Sequence, residues 1–357
     1  MKVETALPLG KVDPGLRAPA ARLELAEVPE AARQVEELGY DGLVTTETKD
    51  DPFLVLGLAA TTTHRISLTT AVAIAFPRSP MVTALTAWSL QRLSRGRFIL
   101  GLGTQVKGHI ERRYSVPWAP PTQRLREYIL ALRSIWDCWQ YDRPLNFQGE
   151  FYRFSLMVPL FNPGPIEHPY IPVHVAAINR HNCRLAGEVC DGLRPHPITT
   201  RKYIAEVMLP EVERGARRAG RSPAEVEVCV SPLIVSGATD QELSQRAEDV
   251  RARIAFYAST RTYSPVFELH GWGEMVSELH RLSRAGRWEE MPRHISDEVL
   301  ETIAVVAKYD DIAAAVRQRY GDLAQRVEFS LPAATEEERQ RLARVVAQIK
   351  GAGAPAR

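Results

Sequence analysis

The sequence predicts an α/β chain folded as a (β/α)8 TIM barrel, with insertions after its fourth and seventh strands. Three observations predict it. Short apolar runs alternate with stretches of helical spacing along nearly the whole chain, the pattern of parallel strands joined by crossover helices. The run Phe98-Ile99-Leu100 is apolar without alternation, as in a strand covered on both faces, and it breaks at Gly101 and Gly103 into polar Thr104, Gln105, Lys107 and His109. No G-x-G-x-x-G opens a first helix, which argues against an open dinucleotide-binding sheet.

The candidate strands are Val3–Leu7, Gly42–Thr46, Ile66–Ala73, Phe98–Gly101, Val173–Ala177, Gly192–Arg194, Val226–Val235 and Val327–Leu331. Before the second, Ala31, Val35 and Leu38 share a helical face that Gly39 ends. After the fourth, Leu125, Tyr128, Ile129, Leu132, Ile135, Trp136 and Trp139 recur at helical spacing. Ile204, Val207, Met208 and Val212 form a stripe closed by Gly220, and Leu342, Val345, Val346 and Ile349 form the last one. Two segments exceed ordinary loop length. Residues 145–172 hold the strand-like NFQGEFYRF and a proline-rich crossing; residues 255–295 lie between the seventh and eighth strands. Long structured connections act as lids or binding loops, or pack at a subunit interface, and both readings stand for the second. The expected organisation is one barrel domain over 1–350 and a disordered tail over 351–357.

Composition narrows the function. Hydrophobic residues at 45% and charged residues at 25% mark an ordinary globular protein. Lys+Arg 45 against Asp+Glu 43 leaves +2, which gives no electrostatic reason to expect nucleic acid or an anionic membrane as partner. Cys138, Cys183, Cys190 and Cys229 form no C-x-x-C and no histidine stands at zinc-finger spacing. They read as buried thiols in a reducing compartment, with no metal site. The first residues contain no apolar signal region, and no run of about 18 apolar residues occurs. A cytoplasmic protein is the expectation.

Three stretches carry a resemblance: AARQVEELGYDGLVTTET, RISLTTAVAIAFPRSPMVTALTAWSLQRLSRGRFILGLGTQ and PVHVAAINRHNCRLAGEVCDGLRPHP. Together they resemble the luciferase-like flavin and deazaflavin oxidoreductases, the bacterial-luciferase superfamily. Among these the chain looks most like members that use coenzyme F-420, an 8-hydroxy-5-deazaflavin. The resemblance implies a flat ring lying across the barrel mouth, backed by a bulge with a non-prolyl cis peptide at the end of the third strand. The matching residues are Thr69-Thr70-Ala71-Val72, with the cis bond expected near Thr70–Ala71. It further implies cofactor contacts from Thr46, Thr70, Ala71, Val72, Gly103, Thr104, Ala177, Ile178, Asn179, Arg180 and His196.

Where many deazaflavin-using relatives carry an acid–histidine pair, this chain has Glu47-Thr48, so the usual histidine is missing. Glu47 is then either a catalytic acid or base or a solvated strand-end carboxylate. Gln105 and His109 are the candidates to stand in for the histidine. Backbone N–H groups after the fifth strand would hold the cofactor phosphate at a helix start. Arg180 either pairs with that phosphate or stays exposed, and Asn179 can cap the helix. His196, Thr199 and Thr200 follow the sixth strand on the same side, and Arg201 opens the next helix, where it would contact the phosphates or a poly-glutamate tail. Arg251, Tyr257, Arg261, His270 and Trp272 are the expected substrate-enclosing residues. The implied activity is hydride transfer between the deazaflavin C5 and a small organic substrate. The alternatives are a two-component monooxygenase using reduced FMN and, because of the missing histidine, a non-catalytic flavin-binding subunit. A homodimer is implied as well.

Overall fold

Eight parallel strands meet edge to edge in the computed structural model, which describes residues 1–10 and 23–351. They are β1 (Lys2–Ala6), β2 (Gly42–Thr45), β3 (Ser67–Thr70), β4 (Phe98–Gly103), β5 (Val173–Ala177), β6 (Gly192–Pro195), β7 (Glu227–Val230) and β8 (Arg326–Glu328). Each pairs with its neighbour in order, β8 returns to β1, and the β3–β4 pairing completes the circuit. This is the (β/α)8 barrel that the alternation predicts. The expected tail lies, from residue 352 onward, outside the described residues.

Around the ring run α1 (Val28–Glu37), α2 (Pro52–Ala60), α3 (Pro80–Leu93), α4 (Pro121–Tyr141), α5 (Arg180–Val189), α6 (Leu209–Arg218), α7 (Asp240–Ala258), α8 (Gly273–Arg284), α9 (Ile312–Tyr320) and α10 (Glu336–Lys350). Their starts follow from local chemistry. Asp51 accepts the N–H groups of Phe53 and Leu54, Ser79 accepts that of Val82, and Thr335 with Glu338 forms a reciprocal cap. The buried face of α1 is Val28, Ala32 and Val35 rather than one centred on Ala31 and Leu38. At its end the buried Glu36 carboxylate accepts backbone N–H groups of His64, Arg65 and Ile66, which anchors the approach to β3.

Two strands differ from the expected spans for identifiable reasons. The third stops at Thr70, detours, and resumes as Ala73–Ile74 against β4. The seventh divides at Ser231-Pro232-Leu233, because proline has no N–H to give a ladder. Its second half, Ile234–Gly237, pairs in parallel with Val305–Lys308 outside the barrel, and α7 and α8 lie between these two short strands in the chain. The connection after α4 folds as a hairpin, Phe147–Gln148 with Arg153–Phe154. Glu127 of α4 holds it by accepting the N–H groups of Glu150, Phe151 and Tyr152.

The interior of the barrel is charged. Every second side chain of a barrel strand faces the axis, and here Glu4 meets Arg194 at 2.9 Å and Arg326 at 3.0 Å. Arg326 also reaches Glu227 at 2.7 Å and Ser67 at 3.1 Å, and Cys229 Sγ lies 3.7 Å from His174 Nδ1. Burial pushes the Glu4 carboxyl upward, but the two guanidiniums outweigh it and hold it below its ordinary value. His174 is driven well below its ordinary value by burial and by the same arginines. His174, Glu227 and Cys229 approach closely enough to share a cation, yet two adjacent guanidiniums oppose one. Removing either arginine would leave Glu4 buried and under-compensated, a change that costs about 3–5 kcal/mol in comparable sites.

Candidate active site

The carboxyl ends of β3 and β4 build one wall of the mouth. After Thr70 the Ala71–Val72 peptide is cis, one residue beyond the expected bond. Ala71 N–H donates to Thr45 O at 2.6 Å, and Glu47 N–H donates to Val72 O at 3.4 Å, so β2 holds the detour from one side. From the other side, a side chain at Gly101 would meet Thr70 O at 1.8 Å, and one at Gly103 would meet Val72 Cγ2 at 2.6 Å. These glycines therefore make the notch into which the neighbouring strand's bulge fits. Thr70 is fully buried; its hydroxyl donates to Gly101 O at 2.7 Å and accepts Gly101 N–H at 2.8 Å. Its side chain is thus spent on the bulge. One step below, Thr69 Oγ1 is buried with no hydrogen-bond partner among the described residues.

Glu47 is neither solvated nor free. Its carboxylate accepts Ile74 N–H at 2.8 Å and Arg78 Nη1 at 2.7 Å, and Arg78 continues to Asp51 at 2.9 Å. The pair of carboxylates raises the Arg78 guanidinium despite its partial burial. Glu47 therefore clamps the chain just past the bulge. Thr46 beside it is exposed at the rim. Gln105, at φ +55°, turns its side-chain oxygen back to Val106 N–H at 2.9 Å. Thr104 is half-buried, and His109 stands exposed on the short helix Lys107–Arg112.

At the end of β5 the residues Ala177 and Ile178 are buried, and Tyr203 donates its hydroxyl to Ile178 O at 3.0 Å. Asn179 caps α5 through Asn182 N–H at 2.8 Å, as its position predicts. Helix geometry leaves the first-turn amides of Arg180 and His181 without intrahelical acceptors. The Arg180 side chain instead turns toward Glu211 at 3.7 Å, a carboxylate that Arg184 and Arg214 also pair. Arg201 is likewise taken, by Asp322 at 2.6 Å, and Arg251 by Asp297. Their partners lie too far along the chain for spacing to reveal them.

His196, just past β6, is held between two aromatic rings. Tyr263 stacks on its ring at 4.5 Å and Tyr257 meets it edge-on at 4.6 Å. Its Nδ1 accepts Ile198 N–H at 3.3 Å, and burial lowers its pKa to about 4. Thr200 pairs with His270 at 2.8 Å, and His270 stacks on Trp272, while Arg261 is exposed. Sequence reasoning missed Ser231 and Glu328, which bond across β7 and β8 at 2.8 Å. The only available signal was a polar pair at the ends of two apolar strands.

Chemistry on such barrels sits where the strands end, and the chain falls in that class of barrel enzyme. More particularly, it belongs to the luciferase-like monooxygenase family, whose model matches residues 6–326. It is 45% identical over 314 residues to an uncharacterized protein of Mycobacterium tuberculosis, covering 88% of this chain and 92% of that one. It is 29% identical over 304 residues to a protein of the same organism named as a coenzyme F-420-dependent oxidoreductase, covering 79% and 84%. The fold matches that of the coenzyme F-420-dependent tetrahydromethanopterin reductase from Methanopyrus kandleri with a TM-score of 0.74, at 17% identity and 97% coverage of both chains.

Proposed function

We propose that the protein is an F-420-dependent oxidoreductase. The observation that carries this reading is the bulged wall at Ala71–Val72, seated in the Gly101/Gly103 notch and clamped through Glu47 and Arg78. Ala71, Gly103 and Ala176 leave a floor of small side chains there, which suits close approach of a flat ring. The first-turn amides of α5 suit a phosphate tail. When bound, the deazaflavin would supply a hydride donor or acceptor at its C5. The chain's own part is to orient: Ala71, Val72 and Gly103 back the ring, Ala177 and Ile178 line its edge, and Asn179 fixes the helix start. Tyr257 and Tyr263 keep water from the face opposite the bulge. Thr46 and Thr104 lie at the rim within the same reading, and a solvent-exposed His109 remains a candidate proton carrier.

Titration by fluorescence with F-420 and, separately, FMN tests it. Saturable binding of F-420 with weaker binding of FMN is expected; FMN binding alone, with flavin-reductase-dependent oxygen uptake, would replace it with the monooxygenase reading. We also propose a homodimer, in which exposed Leu54 of α2 and Val82 and Leu85 of α3 are covered. The four free, buried cysteines suit the reducing cytoplasm.

A further inference from the structure

We propose that His196 is the group that holds the substrate's oxygen, and that the substrate is an uncharged, largely apolar carbonyl compound or the matching alcohol. The proposal rests on the reading above that the ring lies against the bulge of β3.

Position comes first. Around the ring the strands run 3-2-1-8-7-6-5-4, so β6 and β7 lie across the mouth from β3. A ring backed by Ala71–Val72 therefore turns its free face toward the ends of β6 and β7, where His196 stands. The tyrosines that enclose His196 come from α7 and from the turn Arg261–Tyr263, both within the connection between β7 and β8. They hold the imidazole in one orientation and surround it with apolar surface.

The donor identity follows from the hydrogen bonding. Because Nδ1 accepts Ile198 N–H, the ring proton of the neutral imidazole resides on Nε2. Nε2 meets no partner among the described residues. Burial keeps the ring neutral at physiological pH, so it presents an N–H donor and no charge. Three arginines of the mouth are paired with carboxylates, Arg180 with Glu211, Arg201 with Asp322, and Arg251 with Asp297, while Arg261 is exposed on the turn that carries Tyr263. A neutral donor amid tyrosines suits a carbonyl oxygen on an apolar body. In the reducing direction, a hydride that the bound deazaflavin would supply would add to the carbonyl carbon, with the C=O π pair moving to oxygen, which would take a proton from water. His196 stays neutral throughout, and its hydrogen bond strengthens as the oxygen gains charge.

The test uses the full chain labelled with 15N-histidine and two probes of similar shape, acetophenone and ethylbenzene. In the free protein, His196 is expected as the Nε2–H tautomer. Acetophenone should move its Nε2 resonance, and ethylbenzene should not. The ratio of the two dissociation constants should change roughly tenfold in favour of ethylbenzene in His196→Phe, and His196→Gln, which keeps an N–H, should restore part of it. An Nδ1–H tautomer, an unmoved resonance, or an unchanged ratio in His196→Phe overturns the proposal. Separate F-420 titration of each variant distinguishes this failure from failure of the cofactor reading.

Discussion

At the residue scale, the roles that spacing reveals are those whose partners are local. Asn179 as a helix cap needs only the residues three positions on, and the structure has it so. Glu47 and Arg180 had two readings each, because the side chains that decide between them, Arg78 and Glu211, come from other elements. His196 gives a pH signature of the same kind. Its folded pKa, about 4, lies below the ordinary value of 6.5, so the unfolded chain takes up the proton first as pH falls. Stability should then be flat above about pH 6.5 and decline between 6.5 and 4, with His196 contributing about 3 kcal/mol of the loss. His174 adds to the decline in the same direction. Urea unfolding across this range should show a shallower decline for His196→Gln; an identical slope would mean the ring already titrates normally in the native state.

At the element scale, the apolar runs located all eight strands, because burial on both faces leaves a strong mark on composition. Boundaries were legible only where a local stop existed. Pro232 shows how a single missing N–H divides an apolar run that reads as continuous, and the bulge after Thr70 depends on glycines of the neighbouring strand. Contact between helices was less legible still. A side chain at Gly187 of α5 would meet Val212 O at 1.9 Å, and one at Gly215 of α6 would meet Arg184 O at 1.9 Å. The two helices thus touch backbone to backbone. Gly187→Ala should cost about 3 kcal/mol despite alanine's better helix propensity, since neither carbonyl can retreat without moving its helix. Denaturant midpoints compared with Gly57→Ala in α2, where an added Cβ would meet nothing nearer than Leu90 Cδ2 at 3.7 Å, will check this, and parity between the two would contradict it.

At the scale of the whole molecule, apolar residues sit in one continuous core between strands and helices, while the barrel axis carries ion pairs. Glu4 in VETA, His174 in VHVAA and Arg194 in GLRP interrupt apolar strands at single positions. That pattern marks inward-facing charge, although only closure of the ring brings the partners together. No helix among the described residues is long and apolar enough to cross a membrane. The exposed apolar side chains of α2 and α3 are the surface that a second copy should cover. Light scattering at micromolar concentration should give twice the chain mass, and Leu85→Asp should halve it; a monomer in both cases would refute the pairing.

The short stem formed by Ile234–Gly237 and Val305–Lys308 has an evolutionary consequence. The polypeptide leaves the ladder at Gly237 and returns at Val305, opposite Ile234, so one parallel ladder ties both ends of everything between to the staves beneath. Descendants of one ancestor would then diversify in what they act upon by trading caps held on this ladder, while inheriting the same barrel underneath.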